Sequence, residues 1–558
     1  VSAPALELRD LNVWFDKRGQ VRNPEQIHTV KGLNLTVAPG ERVGLVGESG
    51  CGKTTTILAA LGLLPSSATV AGSVMVDGED VIANGEASIH QHRWKDIAMV
   101  FQGAMSAFNP VKTVGWQIVE ALEIHGVAQG QQARARTREL LEMVGLLAAT
   151  ASRYPHQLSG GMKQRAVIAM ALSCNPKVLL ADEPTTALDV IVQDQILRLL
   201  VRLSEELNLA LVLVTHDLGV VAQACTRAAV MQAGEIVETG TVDDLYRRPA
   251  HPYTRALFAA TPNLTDVNRG HGAALRPQAR QLLSVTDLWV DYGAPERRRA
   301  RAADPASPSV PSVPSAAVAG VSLQVAEGEL VALVGQSGCG KTTTLQTVLG
   351  MQAATSGSID IDGTRVSGLS ARKWRPLRRH VQMIYQDPYE ALDGRLRVDE
   401  TVEEPMLVHH IGGTRAQRKQ LVRDALSDVG LDPDQFAERF PHELSGGQRQ
   451  RVAIAASLVL RPHLLLADEP VSMLDVSVRT GILELLDRLR REHSMGILMI
   501  THDLSTAAKY ADRIIVMRAG RIVEEGTSLQ VVTEPKSEYT RQLLDSVPSP
   551  DPLARRVS

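Results

Sequence analysis

Two stretches of this chain carry nearly the same glycine-rich loop. Gly47-Glu48-Ser49-Gly50-Cys51-Gly52-Lys53-Thr54 returns as Gly335-Gln336-Ser337-Gly338-Cys339-Gly340-Lys341-Thr342, an offset of 335 − 47 = 288 residues. In a Gly-x-x-x-x-Gly-Lys-Thr turn, successive backbone N–H groups point inward at phosphate oxygens, and the helix that follows adds a favourable dipole. Lys53 and Lys341 then supply mobile positive charge to the β- and γ-phosphates, and Thr54 and Thr342 offer a hydroxyl to Mg²⁺. Thr55 and Thr343, next in line, belong to the same nucleotide-binding turn. One such match in a glycine-rich turn is weak. Two in register, each after an apolar run, are specific.

Two further motifs repeat with them. Asp182-Glu183 and Asp468-Glu469 each end an apolar run, at an offset of 468 − 182 = 286. Asp182 and Asp468 suit Mg²⁺ held through water, and Glu183 and Glu469 are placed to polarise the water that attacks a γ-phosphate. Leu158-Ser159-Gly160-Gly161-Met162-Lys163-Gln164-Arg165 matches Leu444-Ser445-Gly446-Gly447-Gln448-Arg449-Gln450-Arg451. Serine is a good helix N-cap, and paired glycines let a ligand approach the exposed N–H groups.

These residues need a scaffold that brings them to one edge. Arg42–Val46, Lys177–Ala181 and Leu209–Val214 read as buried strands, matched by Leu330–Val334, His463–Ala467 and Gly496–Ile500. Apolar strands ending in polar residues predict a parallel sheet with ligands along its C-terminal edge. A helix is expected from Thr54 onward. The chain of 558 residues is too long for one core, and the period is far too long for a solenoid, so it reads as tandem domain duplication. Pro262–Arg280 reads as a linker, and the Arg-, Pro- and Ser-rich stretch 295–315 as a disordered insertion or, less simply, an RNA- or lipid-contacting arm.

Composition excludes several classes. A net charge of −3 gives no general case for nucleic acid. The four cysteines, Cys51, Cys174, Cys225 and Cys339, lie far apart and predict neither disulfides nor zinc nor an iron–sulfur centre, which suits a reducing compartment. Cys51 and Cys339 fit their loops as small residues, and the positive field there is expected to favour thiolate, so that alkylation inhibits and nucleotide protects. No apolar run approaches the roughly 20 residues of a membrane span. The start, Val1-Ser-Ala-Pro, lacks a basic region followed by an apolar segment, so no secretory leader is expected.

Taken together over nearly the whole length, these motifs resemble a tandem pair of ATP-binding-cassette ATPase subunits. The resemblance implies α/β architecture: two P-loop NTPase domains, each with a mainly parallel core sheet, an antiparallel β subdomain and a helical subdomain. They would occupy 1–262 and 282–548, with 263–281 as linker and 549–558 as tail. It implies ATP and Mg²⁺ as ligands. Gln102 and Gln386 would touch the metal, His216 and His502 would act as switch histidines at the γ-phosphate, and Phe15 and Tyr292 would stack on adenine. Ala187-Leu188-Asp189 and Met473-Leu474-Asp475 would be the D-loops. The sites would be shared, Lys53, Gln102, Asp182, Glu183 and His216 facing Ser445, Gly446 and Gly447. The other would join Lys341, Gln386, Asp468, Glu469 and His502 to Ser159, Gly160 and Gly161. Met162, standing where the other copy has Gln448, marks the site that uses Ser159 as the weaker.

Leu245-Tyr-Arg-Arg-Pro-Ala-His251-Pro252-Tyr253-Thr254-Arg255 resembles the C-terminal signature of oligopeptide/dipeptide importer ATPases, a branch that also serves nickel and glutathione. The second copy keeps part of it, Glu534-Pro-Lys-Ser537-Glu538-Tyr539-Thr540-Arg541. Some relatives carry a cysteine cluster after this signature, but here none follows Cys225 before Cys339. The resemblance implies two permease partners, an extracytoplasmic binding protein, and a place on the cytoplasmic face of the cell membrane. Rival readings are a soluble twin-cassette factor acting on ribosomes or DNA, favoured only by the Arg297–Arg301 cluster, and an exporter energiser.

Overall fold

Alternate residues of the central strands face opposite sides, and both sides are apolar. Val178 and Leu180 enter one core while Leu179 and Ala181 enter the other; Val212 and Val214 oppose Leu211 and Leu213 in the same way. Such strands need cover on both faces, which is the condition for a parallel sheet. In the computed structural model, which describes residues 3–16, 26–83, 85–103, 107–186, 188–268, 279–292, 316–387, 391–472 and 474–554, that condition is met twice.

In the first copy, β3 (Arg42–Val46), β6 (Ile97–Val100), β7 (Val178–Asp182), β8 (Ala210–Thr215) and β9 (Arg227–Gln232) run parallel, with β10 (Glu235–Thr241) antiparallel at the edge, in the order β10-β9-β3-β8-β7-β6. One face packs on an antiparallel sheet of β1 (Leu6–Asp16), β2 (Gln26–Val37), β4 (Ala68–Val76) and β5 (Glu79–Asp80), with helix Lys53–Ala60 contributing to the same core. The other face is covered by helices that include Val114–Ile124, Gly160–Ala171 and Val190–Glu206.

The second copy repeats this order. Its main sheet is β16 (Val381–Ile384), β17 (Leu464–Asp468), β18 (Gly496–Thr501), β13 (Leu330–Val334), β19 (Arg513–Arg518) and β20 (Arg521–Thr527). Its antiparallel sheet is β12 (Ala316–Ala326), β11 (Gln281–Asp291), β14 (Ser356–Ile361) and β15 (Thr364–Arg365).

Four strands lie one residue further along, or reach one residue further, than the apolar runs suggest. β7 and β17 take in Asp182 and Asp468, and β8 and β18 take in Thr215 and Thr501, because ladder pairing continues through them (Asp182 opposite Val214, Asp468 opposite Ile500). The chain separates into two units: Val1–Thr261 with Pro548–Ser558, and Pro262–Val547. Within the second unit, Pro262–Asn268 is tied down, with Asn268 N–H donating to the Ala508 carbonyl at 2.9 Å and its amide to that of Ala511 at 3.2 Å. The stretch 295–315, Ala187 and Met473 lie outside the described residues. Among those described, no helix is long and apolar enough to cross a membrane.

Candidate functional site

Each glycine-rich loop leaves the C-terminal end of the central strand. Gly47 must be glycine: its φ is 155°, and a Cβ there would sit 2.2 Å from the Met231 carbonyl oxygen. Gly52, at φ 107°, N-caps helix Lys53–Ala60 with no side-chain cap, so the first N–H groups of that helix meet no side-chain acceptor at the cap. Cys51, Gly52 and Lys53 are buried while Ser49 and Gly50 form the exposed tip; Ser337, Gly338, Cys339 and Gly340 repeat this. Each loop is bonded to its own lysine. Lys53 Nζ donates to the carbonyls of Gly47 and Glu48, both at 2.8 Å, and Lys341 to those of Gly335 and Gln336 at 2.7 and 2.9 Å.

Asp182 and Asp468 lie at the ends of β7 and β17, 2% and 6% exposed. Thr54 Oγ1 donates to Asp182 at 3.2 Å and Thr342 Oγ1 to Asp468 at 3.4 Å. Burial pushes the Asp182 carboxyl up to about 6 and Asp468 in the same direction. A buried carboxyl beside a hydroxyl, its charge disfavoured by desolvation, is a hard-oxygen donor set that a divalent cation would satisfy, and this fits Mg²⁺. Among the described residues no three His, Cys, Asp or Glu side chains gather as a ready-made cage.

Glu183 and Glu469 sit at φ 44° and 45°, in the left-handed region. No glycine relieves this strain, and it recurs in both copies at the same motif. Glu183 is held on both oxygens: His216 Nδ1 lies 2.8 Å from Oε1, and Gln102 and Thr186 donate to Oε2 at 2.7 and 2.9 Å. Glu469 Oε2 receives Gln386 at 2.9 Å and lies 3.2 Å from His502 Nδ1. Burial works to raise both glutamates, but the histidine contacts outweigh it and hold them below the ordinary carboxylate range. Burial likewise opposes the His502 charge, and Glu469 overcomes it, lifting that ring above its usual value. The glutamine and histidine that the resemblance implies thus lie against the strand-end glutamate in each unit.

Ser159 and Ser445 N-cap the helices Gly160–Ala171 and Gly446–Leu458. Ser159 Oγ accepts from Met162 N–H at 3.4 Å; in the other copy Ser445 and Gln448 bond reciprocally, at 3.3 and 2.9 Å. Gly161 and Gly447 sit against Val192 and Val478, where a Cβ would come within 2.5 Å of a side-chain methyl. Gly160 and Gly446 have no such neighbour and leave the helix start open. Phe15 is half-buried on β1, and Tyr292 is 56% exposed with its hydroxyl 3.2 Å from Thr343 Oγ1 at the phosphate helix. Thr55 is partly exposed at the matching place.

The thiols correct one expectation. Burial pushes Cys51 and Cys339 upward, and the neighbouring lysine offsets only part of it. The lysine's charge is spent on backbone carbonyls, so the field does not produce thiolate. A contact that motif spacing missed runs from the importer-type signature: Tyr253 OH accepts from Glu48 N–H at 3.0 Å, and Tyr539 OH from Gln336 N–H at 3.1 Å. The signal was present, since Tyr-Thr-Arg is the part of that signature both copies keep.

A phosphate loop on a central strand, a metal-competent Thr–Asp pair, a strained glutamate under a histidine and a Ser-Gly-Gly helix start define a twin P-loop ATPase. Comparison narrows the class. The ABC transporter family model matches residues 30–186 and 318–472, and the model for the oligopeptide/dipeptide transporter C-terminal region matches 237–285 and 523–558. The chain is 40% identical over 583 residues to the glutathione import ATP-binding protein GsiA of Salmonella typhimurium, covering 100% of this chain and 91% of that protein. It is 40% identical over 579 residues to its namesake in Pectobacterium atrosepticum, covering 99% and 90%. Among solved structures, a dimeric bacterial ABC transporter cassette is 28% identical over 44% of this chain and 99% of its own, at a TM-score of 0.38. The chain thus belongs to the ABC transporter family, in its oligopeptide/dipeptide importer branch. It is an ATP-hydrolysing import subunit with both cassettes fused in one polypeptide.

Proposed function

We propose that the chain powers uptake of a short peptide, and that each ATP site is completed by both cassettes. The supporting observation is the duplication of a full catalytic set together with the oligopeptide/dipeptide C-terminal region. In this reading 1–262 and 282–548 are the cassettes, 263–281 joins them and 549–558 is a tail. Lys53, Gln102, Asp182, Glu183 and His216 work with Ser445, Gly446 and Gly447; Lys341, Gln386, Asp468, Glu469 and His502 work with Ser159, Gly160 and Gly161. Phe15 and Tyr292 stack on adenine. Fusion keeps the partner site at an effective concentration of about millimolar.

Thr54, Gln102 and Asp182 would hold Mg²⁺ in one site and Thr342, Gln386 and Asp468 in the other, where the ion supplies positive charge for the β- and γ-phosphate oxygens. Lys53 leaves its loop carbonyls for phosphate. Gln102 would be one of the residues holding the metal, and Glu183 Oε2, which accepts from Thr186 as well as from Gln102, would take the proton of the attacking water. His216 keeps Glu183 oriented at the other oxygen.

Two membrane permeases and an extracytoplasmic binding protein complete the machine at the cytoplasmic face of the inner membrane. Membrane contact is made only through the permeases, and nucleic acid has no part. Glutathione is itself a tripeptide, and similarity to glutathione import proteins supports it as the first substrate to test within the peptide class. The test is purification with its permeases, identification of the ligand kept by the binding protein, and uptake of labelled glutathione against a dipeptide. Ribosome association without permeases would refute the reading. For the sites, Ser445→Arg should abolish hydrolysis at the Lys53 site, and Glu183→Gln should cost more activity than Glu469→Gln. Equal losses would remove the asymmetry assigned to Met162.

A further inference from the structure

We infer that Tyr253 and Tyr539 are positioning residues of the two phosphate loops, each gripping the loop's first peptide group on the side away from its lysine. This rests on the ATPase reading of those loops, and goes beyond it in giving the importer-type C-terminal signature a role at the nucleotide.

The peptide joining Gly47 to Glu48 is bonded at both ends. Its carbonyl accepts from Lys53 Nζ at 2.8 Å, and its N–H donates to Tyr253 OH at 3.0 Å. The peptide joining Gly335 to Gln336 is held alike, by Lys341 at 2.7 Å and Tyr539 at 3.1 Å. A peptide group is a rigid plane, so bonds at opposite ends fix its rotation. Hydrogen bonds in line also polarise one another, so the hydroxyl at the N–H strengthens the carbonyl as acceptor for the lysine. When the lysine transfers to phosphate, the tyrosine bond remains and the loop keeps its shape.

The tyrosine is itself built in. Glu238 on β10 accepts from the N–H groups of Ala250 and His251 at 2.7 and 3.1 Å, fixing the turn before helix Pro252–Ala260. Glu524 on β20 does the same with Lys536 and Ser537 at 2.7 and 2.9 Å, before helix Glu538–Ser546. Thr254 and Thr540, one residue past each tyrosine, are fully buried.

The two copies have diverged around this frame. His251-Pro252 has become Ser537-Glu538, and the His251 side-chain cap has no counterpart at Ser537. Glutamate, tyrosine and threonine persist at one offset, 524 − 238 = 539 − 253 = 540 − 254 = 286. The copies thus share the tyrosine that reaches the loop and the glutamate that fixes the turn before it, and differ at the helix cap.

The experiment is steady-state hydrolysis by the full chain carrying Tyr253→Phe, Tyr539→Phe or both, with binding of a fluorescent ATP analogue and nucleotide-free melting measured alongside. Phenylalanine keeps the ring and removes only the hydroxyl. We expect KM for ATP to rise roughly three- to tenfold in the double variant, the range of one lost hydrogen bond, with kcat and melting temperature held. Tyr253→Ala should lower melting as well, separating packing from positioning. Wild-type KM and analogue affinity in the double phenylalanine variant would overturn the inference. So would a KM rise matched by a fall in melting temperature. A wild-type chain that binds the analogue but does not hydrolyse ATP would count against the ATPase reading, whereas analogue affinity would still report on the tyrosines.

Discussion

Asp182 shows how a single residue links the fold to its ligand. Its folded-state pKa of about 6 lies above the ~4 of an unfolded chain, so the fold holds that proton more tightly. The resulting stabilisation is complete below pH ~4 and is lost as pH rises through 6. Nucleotide-free protein should therefore melt higher at pH 5 than at pH 7.5, as far as this group is concerned. Asp182→Asn should raise melting at pH 7.5, by something on the order of 1–3 kcal/mol, flatten the profile and abolish Mg²⁺-dependent ATP binding. Thermal scans across pH check it, and a variant as pH-dependent as the parent would contradict it. Asp182 itself was legible in the sequence, because a carboxylate ending an apolar run recurs at a fixed offset. Its raised pKa was not, since that depends on what packs around it. Cys51 taught the same lesson in reverse: neighbouring charge was visible along the chain, but burial and the lysine's carbonyl partners were not. The left-handed backbone of Glu183 also escaped notice, because no local residue preference encodes a conformation imposed by flanking tertiary structure.

At the scale of elements, strand identity could be read from apolar runs, while strand ends could not. Hydrogen-bond ladders extend as far as a neighbour offers partners, so Asp182 and Thr215 joined strands from which their polarity had set them apart. Helix starts were better marked. Ser159 and Ser445 cap as their type suggests, and one of the two differences between the motif copies, Met162 against Gln448, has a visible effect. Gln448 returns a hydrogen bond to the Ser445 N–H, whereas a methionine at 162 has no acceptor of that kind to offer Ser159. Met162→Gln should build the reciprocal cap and stabilise the first unit by about 0.5–1 kcal/mol. A denaturant midpoint that does not rise would argue that the helix start is already satisfied by other means.

At the scale of the molecule, duplication was plain from the offsets, and so was the position of every repeated motif. The partition of the chain was less so. The segment after the last helix of each copy belongs to the other unit: Pro262–Asn268 lies in the second, and the chain from Pro548 lies in the first. There the Pro548 carbonyl comes within 2.8 Å of where a side chain on Gly219 would stand, Pro550 and Pro552 are buried, and Asp551 acts on Arg247. Composition marks the first stretch as linker and the second as tail, and nothing in it reveals that Asn268 is bonded to Ala508 or that Pro550 and Pro552 are buried. Deleting the chain from Pro548 onward should destabilise the first unit and spare the second, seen as faster amide exchange over residues 218–247. Unchanged exchange there would contradict it. The same partition governs how the protein is made. Synthesis runs from one end, and 547 − 262 + 1 = 286 residues separate the end of the first unit's main stretch from the piece that closes it. At ribosomal speeds of ~5–20 residues per second, that is a wait of roughly 15–60 s. The first cassette to emerge is thus the last to be finished, so a nascent chain interrupted midway cannot leave behind a complete half.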